Sequence, residues 1–435
     1  MSGSSSKMSV TQLTLLTALN MMGSGIIMLP TKLAEVGTFS IISWLVTAGG
    51  STALAYAFAK CGMLSRNRGG MGGYAEYAFG KSGSFLANYA YCVSLLIANI
   101  AIAISAVGYA VALFGLNTTP FETCLLTIAV LWICTVLNFK GAKITGRITG
   151  IFVWALLLPL ITLVVVGGFW FDPALYSANW NPHQIPTLDA VSSGISMTFW
   201  AFLGLESACA NAESVENPEK NVPKAVICAT LLTAFIYIAT TNLTAGLVPN
   251  AVILQSDAPF AVVYAALFGG TSGAVVSCLL WLGCAGSLVS WQFTMARVFA
   301  SSAHAGFFPS IFGQMNKHDA AVKGLILLTG VQSLLCLPIL SPSTFTIYEQ
   351  FTDLAVFITL FAFVICMSGS FALAKAKCTS RKRRETIHTI ATAAIVMLLG
   401  SLYCLNFDTM KIGTVLVCLS WVYYGMLKGR LSASQ

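Results

Sequence analysis

A single carboxylate, Glu206, stands in an apolar stretch that runs from Val191 to Asn211, with the next acidic residues only at Asp189 and Glu213. A charge at membrane depth is costly, so it normally faces a cavity and meets a cation, a proton or a partner. That chemistry suits a small cationic solute. Trp200 lies six residues before Glu206, and Trp291 follows the small-residue run Gly-Cys-Ala-Gly-Ser-Leu-Val-Ser. An indole face beside a desolvated cation contributes ~2 kcal/mol. The chain has nine tryptophans; most are expected in packing or in the interfacial belt, and Trp44, Trp170 and Trp180 read that way.

Two apolar runs are interrupted in matching ways, at Gly23-Ser24-Gly25 and at Gly204-Leu-Glu206-Ser207. Glycines inside such runs weaken a helix. Unwinding at Gly23 to Gly25 exposes the N-terminus of the following half-helix, whose free N–H groups suit a substrate carboxylate. Unwound carbonyls near Gly204 can accept hydrogen bonds from an ammonium group. One site can thus grip both ends of an amino acid, with Glu206 left for a second amine or a proton. The bland alternative is that the small residues only allow close helix packing.

The elements that must hold these residues follow from composition. Hydrophobic residues make up 57% of the 435, charged residues 9%, and the mean hydropathy is +0.81, outside the range of soluble domains. A pass at ~20 residues per span gives twelve candidates at 12–32, 38–60, 84–113, 119–138, 148–171, 190–212, 223–248, 272–300, 322–340, 350–374, 387–405 and 411–428. Lipid requires each to be a helix, so an all-α membrane protein is expected, with the first apolar run kept as a span rather than cleaved as a leader. Spans one and six then open two five-helix halves, and broken helices at corresponding positions point to an inverted-repeat transporter with its site at the midplane.

Charge sets the orientation. With both termini inside, Lys60, Arg66, Arg68, Lys81, Lys140, Lys143, Arg147, Lys220, Lys224, Lys317, Lys323 and the cluster from Lys375 to Arg384 fall on the cytoplasmic side, and only Lys32 and Lys411 fall outside. The net charge of +8 is therefore topological, and the run Arg381-Lys-Arg-Arg384 reads as a juxtamembrane anchor rather than a nucleic-acid patch. Glu35, Glu122, Asp172, Asp189, Asp257, Glu349 and Asp408 give the outer loops an acidic surface that concentrates cations. Thirteen cysteines lie mostly inside apolar runs and show no metal-ligand spacing, so no metal site is expected. Enzymatic readings are weak. Gly80-Lys81-Ser82 lacks the upstream glycine of a phosphate loop, which is Ala75 here, and His183, His304, His318 and His388 have no motif partner.

The segments Asn20-Met-Met-Gly-Ser-Gly-Ile-Ile-Met-Leu-Pro30, Gly69-Gly-Met-Gly-Gly-Tyr-Ala-Glu-Tyr-Ala-Phe-Gly80, Trp200-Ala-Phe-Leu-Gly-Leu-Glu-Ser-Ala-Cys-Ala-Asn211, Glu216-Asn-Pro-Glu-Lys-Asn-Val-Pro223 and Trp291-Gln-Phe-Thr294 closely resemble the basic amino acid/polyamine antiporters of the APC superfamily. Within it the resemblance is greatest to the branch that exchanges putrescine for ornithine. It implies a LeuT-like fold in one transmembrane domain: inverted repeats at about 8–171 and 187–374, then helices eleven and twelve at about 385–430, often used for homodimer contacts. It implies substrate contacts at Ser24, Gly25, Trp200, Glu206 and Trp291, a gate tyrosine at Tyr91, and polyamine-recognition positions at Cys61, Glu76 and Tyr424. It also implies a multi-pass protein of the bacterial cytoplasmic membrane that uses no cofactor, with proton coupling open.

Two positions depart from that branch. Ala300 stands where a lysine is expected nine residues beyond Trp291, with Arg297 three residues earlier, and Ser432 replaces an acidic residue eight beyond Tyr424. The identity of the counter-substrate therefore stays open, lysine/cadaverine among the pairs. A proton-coupled uptake carrier remains the competing reading.

Overall fold

A computed structural model describes residues 8–65, 71–211, 215–256, 258–340 and 344–433. Arg66, Arg68, Gly69, Gly70, Glu213 and Asp257 lie outside the described residues, as do the side chains of Ser24, Lys143 and Ser432.

Among the described residues, twelve helices are long and apolar enough to cross a membrane. In order they are Val10–Val36, Ser40–Leu64, Gly72–Phe114, Pro120–Leu137, Ala142–Val166, the pair Thr187–Phe202 and Ser207–Ala210, Pro218–Leu247, Gly270–His304, Val322–Leu335, Thr344–Lys377, Arg381–Tyr403 and Phe407–Ala433. Each matches a span expected from hydropathy, because a hydrocarbon slab fixes helix length whatever the packing. Ends are set locally. Ser9 and Gln12 form a reciprocal capping box before the first span, and Thr119 and Glu122 do so before the fourth, where Pro120 takes the first helical position.

The third span departs from its expected bounds. The helix begins at Gly72 rather than in the eighties and bends at Gly80, where φ is 63° and ψ is −160°. Glu76 and Lys81, which could have been loop charges, are helical residues on either side of that bend.

The first, third, sixth, seventh, eighth and tenth spans supply most of the buried centre. The fourth, ninth, eleventh and twelfth turn apolar side chains outward, among them Phe121, Ile133, Leu334, Val396, Leu399 and Met426, as lipid contact requires. Trp170 and Trp180 are half-exposed near span ends, whereas Trp44 is fully buried against Phe202 and Tyr237 and belongs to the core rather than to a belt. All thirteen cysteines are free thiols.

The acidic loops are partly committed to structure. Glu122 serves its capping box, Asp172 accepts a hydrogen bond from the Ala174 N–H at 2.8 Å to start a short helix, and Asp408 pairs with Lys411 at 2.8 Å.

Candidate functional site

The two interruptions lie close together, Gly204 against the backbone of Asn20 and Met21. In the first span the non-helical backbone is confined to Gly23, at φ −32° and ψ −115°, rather than extending through Gly25. In the sixth, helix stops at Phe202 and resumes at Ser207. Gly204 between them has φ +119°, and a Cβ built there would lie 2.9 Å from the Met21 backbone nitrogen. Only glycine combines that dihedral with so close an approach. Gly25 likewise sits against the Ala201 backbone, with a built Cβ 3.3 Å from its Cα.

Glu206 caps its own break. Its Oε2 accepts the Gly204 N–H at 2.9 Å, and its Oε1 accepts the Tyr91 hydroxyl at 3.0 Å. The residue is 1% exposed, so these two bonds stand in for the water that a buried carboxyl group gives up. The Trp291 indole N–H donates to the Asn20 carbonyl at 3.0 Å, bringing the eighth span to the turn before the Gly23 break.

Between these groups lies a small cavity, with room for water over about 30 Å³. Its wall is made by Asn20, Met21 and Gly25 of the first span, Tyr91, Ser94, Leu95, Ala98 and Ile102 of the third, and Trp200, Leu203 and Glu206 of the sixth. Trp291 and Thr359 close it from the eighth and tenth. A carboxyl group flanked by two indoles and a phenol, with a mostly apolar wall elsewhere, is suited to hold a desolvated ammonium group.

Of the residues expected at the site, Gly25, Tyr91, Trp200, Glu206 and Trp291 are thus brought together on one cavity, while Gly23 and Gly204 shape the breaks beside it. The Ser24 side chain is outside the described residues. Cys61, Glu76 and Tyr424 do not line the cavity. Cys61 is buried late in the second span, Glu76 is half-buried in the entry turns of the third, and the Tyr424 ring packs 4.9 Å from Phe85 in an aromatic cluster at the twelfth span. Ala300 is buried in the eighth span, and Arg297 is held by Asp319 at 3.0 Å, so it is an ion-pair partner rather than a side chain reaching for the lipid surface.

Four of the carbonyls around Gly204 already accept a hydrogen bond within the protein. Trp200, Phe202 and Gly204 accept from the N–H groups of Leu203, Leu205 and Ser207, and Ala201 accepts from Tyr237. A further polar group on the cavity is Asn20, 3% exposed, whose side-chain oxygen and nitrogen both lack a protein partner. Its signal was present in the sequence: a carboxamide inside an apolar run, three residues before the break. Tyr237 of the seventh span gave no such signal. Its hydroxyl lies 2.7 Å from the Met21 carbonyl and 3.0 Å from the Ala201 carbonyl, so one phenol proton is shared between the two broken spans.

Comparison with known proteins supplies the remaining link. Residues 8–423 match the amino acid permease family model. The chain is 52% identical to "Putrescine transporter PotE" of Escherichia coli strain K12 over 426 residues, covering 98% of this chain and 97% of that one. The protein of the same description from Haemophilus influenzae is 51% identical over 427 residues, 98% of each chain. "Cadaverine/lysine antiporter" of Escherichia coli strain K12 is 34% identical over 311 residues, 71% of this chain and 69% of that one. With twelve apolar spans, a cavity at their broken pair and a family match over nearly its whole length, the chain belongs to the amino acid permease family of membrane transporters.

Proposed function

We propose that this protein is a secondary transporter that exchanges putrescine for ornithine across the bacterial cytoplasmic membrane, with both termini in the cytoplasm. The observation that carries the reading is Glu206, buried at the break of the sixth span and facing a cavity shared with Tyr91, Trp200 and Trp291. A diamine places one ammonium group against that carboxylate and its methylene chain along the apolar wall. The likeness to relatives named for putrescine and for cadaverine and lysine supports a cargo of primary amines.

Alternating access follows from the two breaks. The first and sixth spans belong to two inverted halves, at about 8–171 and 187–374, whose bundles rock against each other around a fixed site. Ornithine carries its carboxylate to the amides beyond Gly23, and putrescine leaves that region empty. Outward putrescine for inward ornithine exports one net positive charge per cycle, since the diamine carries two and the amino acid one. No cofactor takes part.

Counterflow in proteoliposomes tests this. Vesicles preloaded with putrescine, ornithine, cadaverine, lysine or nothing are given labelled putrescine. Rapid uptake only with internal putrescine or ornithine is the expected result. Uptake driven by internal lysine or cadaverine would reassign the exchange pair, and uptake into empty vesicles under a proton gradient would replace exchange with proton coupling.

A further inference from the structure

Seven residues beyond Gly25, about 10 Å along the helix at the ordinary rise, the first span presents Lys32 to the start of the tenth. Its Nζ lies 3.5 Å from Glu349 Oε1 and 5.3 Å from the centre of the Tyr348 ring. The lysine side chain is 18% exposed, and Tyr348 is buried. Glu35, one turn further along the first span, and Asp353, one turn beyond Glu349, are both within electrostatic reach of Lys32 and of Glu349. An ammonium group, an aromatic face and carboxylates therefore meet in one layer. The cavity below gathers the same aromatic and carboxyl groups for a cargo amine. Here the protein's own lysine occupies the cation's place, with three carboxylates around it.

We propose that Lys32 is a tethered stand-in for the cargo's ammonium group: it ties the first span to the tenth and closes the cavity's mouth on the acidic face. An incoming primary amine opens it by taking over Glu349 and Tyr348. The idea rests on the reading above that the cargo is a diamine. Lys32 lies on the half of the first span beyond the Gly23 break. When the cargo's ammonium group takes over Glu349 and Tyr348, neither is left without a cation, so opening is inexpensive when amine is present. Without amine, opening would strip Glu349 of its partner, and the mouth stays shut.

The same face offers an internal control. Lys411, the other basic residue that the charge bias places there, pairs with Asp408 at 2.8 Å on the twelfth span, which faces lipid. The experiment measures putrescine exchange in vesicles of defined orientation, varying putrescine on each face in turn, for wild type, Lys32→Met, Lys32→Arg and Lys411→Met.

Lys32→Met is expected to lower the half-saturation constant on the acidic face about threefold, the scale of a partly exposed ion pair, and to leave the opposite face unchanged. Lys32→Arg should stay near wild type, as should Lys411→Met, which removes the same charge from the same face. Equal shifts on both faces, equal shifts in Lys32→Met and Lys411→Met, or no shift would overturn the proposal. Should Lys32→Met fail to reach the membrane, Lys32→Gln carries the same expectations. A wild-type protein that exchanges no putrescine from either face would overturn the transport reading instead.

Discussion

The first span loses helical geometry at one residue, Gly23, whereas the sixth loses it from 203 to 206 and carries a carboxylate in the gap. The longer break satisfies much of its own backbone: the Gly204 N–H bonds Glu206, and the carbonyls of Trp200, Ala201, Phe202 and Gly204 take local donors or Tyr237. The shorter break has less backbone to satisfy, and beside it stands a carboxamide, Asn20, with no partner of its own. The sixth span therefore supplies charge and the first supplies adaptable hydrogen bonding. A site built from two equal breaks would not separate those roles, and the separation suits cargoes that share an amine but differ in carrying a carboxylate.

Substitutions can break or sharpen this contrast. The largest effect is expected for Glu206→Gln, which removes the charge but keeps the shape: putrescine binding should weaken more than about 100-fold, the scale of a buried ion pair losing one partner. Binding titrations on purified protein would show it, and unchanged affinity would remove Glu206 from cargo recognition. Trp291→Leu comes next, with a loss of ~30-fold if its face holds a desolvated cation; a change confined to protein yield would make the indole a packing residue. Tyr237→Phe frees both the Met21 and Ala201 carbonyls at once. Exchange should slow about tenfold, from about 1.4 kcal/mol of hydrogen bonding, more than binding weakens; equal losses in both would make the phenol part of the ground-state site rather than of the motion. Asn20→Ala is expected to be smallest, about fivefold, and uneven: if ornithine and putrescine suffer alike, the division of roles between the two breaks is wrong.

Much of this architecture was legible in the residues because lipid simplifies folding. Helix length and backbone hydrogen bonding are imposed by the slab, so apolar runs translated directly into spans, and glycine with polar neighbours marked the two interruptions. Glu206 was legible for a related reason, since a lone carboxyl group at that depth needs a partner. Rotation of helices about their axes is not imposed by the slab. Cys61 and Tyr424 therefore fell on packing faces, Trp44 turned out to be core, and Tyr237 emerged only when the seventh span was seen to cross both breaks. The third span was misjudged at its start because Gly80 bends the helix without ending it.

Glu206 also bears on what the protein does between cargoes. Because Tyr91 and the Gly204 N–H already hold the carboxyl group, an unloaded site is not an orphan charge straining to be filled. On the proposed reading, arriving amine competes with a phenol and a peptide N–H for the same two oxygens. Under the proposed exchange, turnover would then follow the supply of amine on each side.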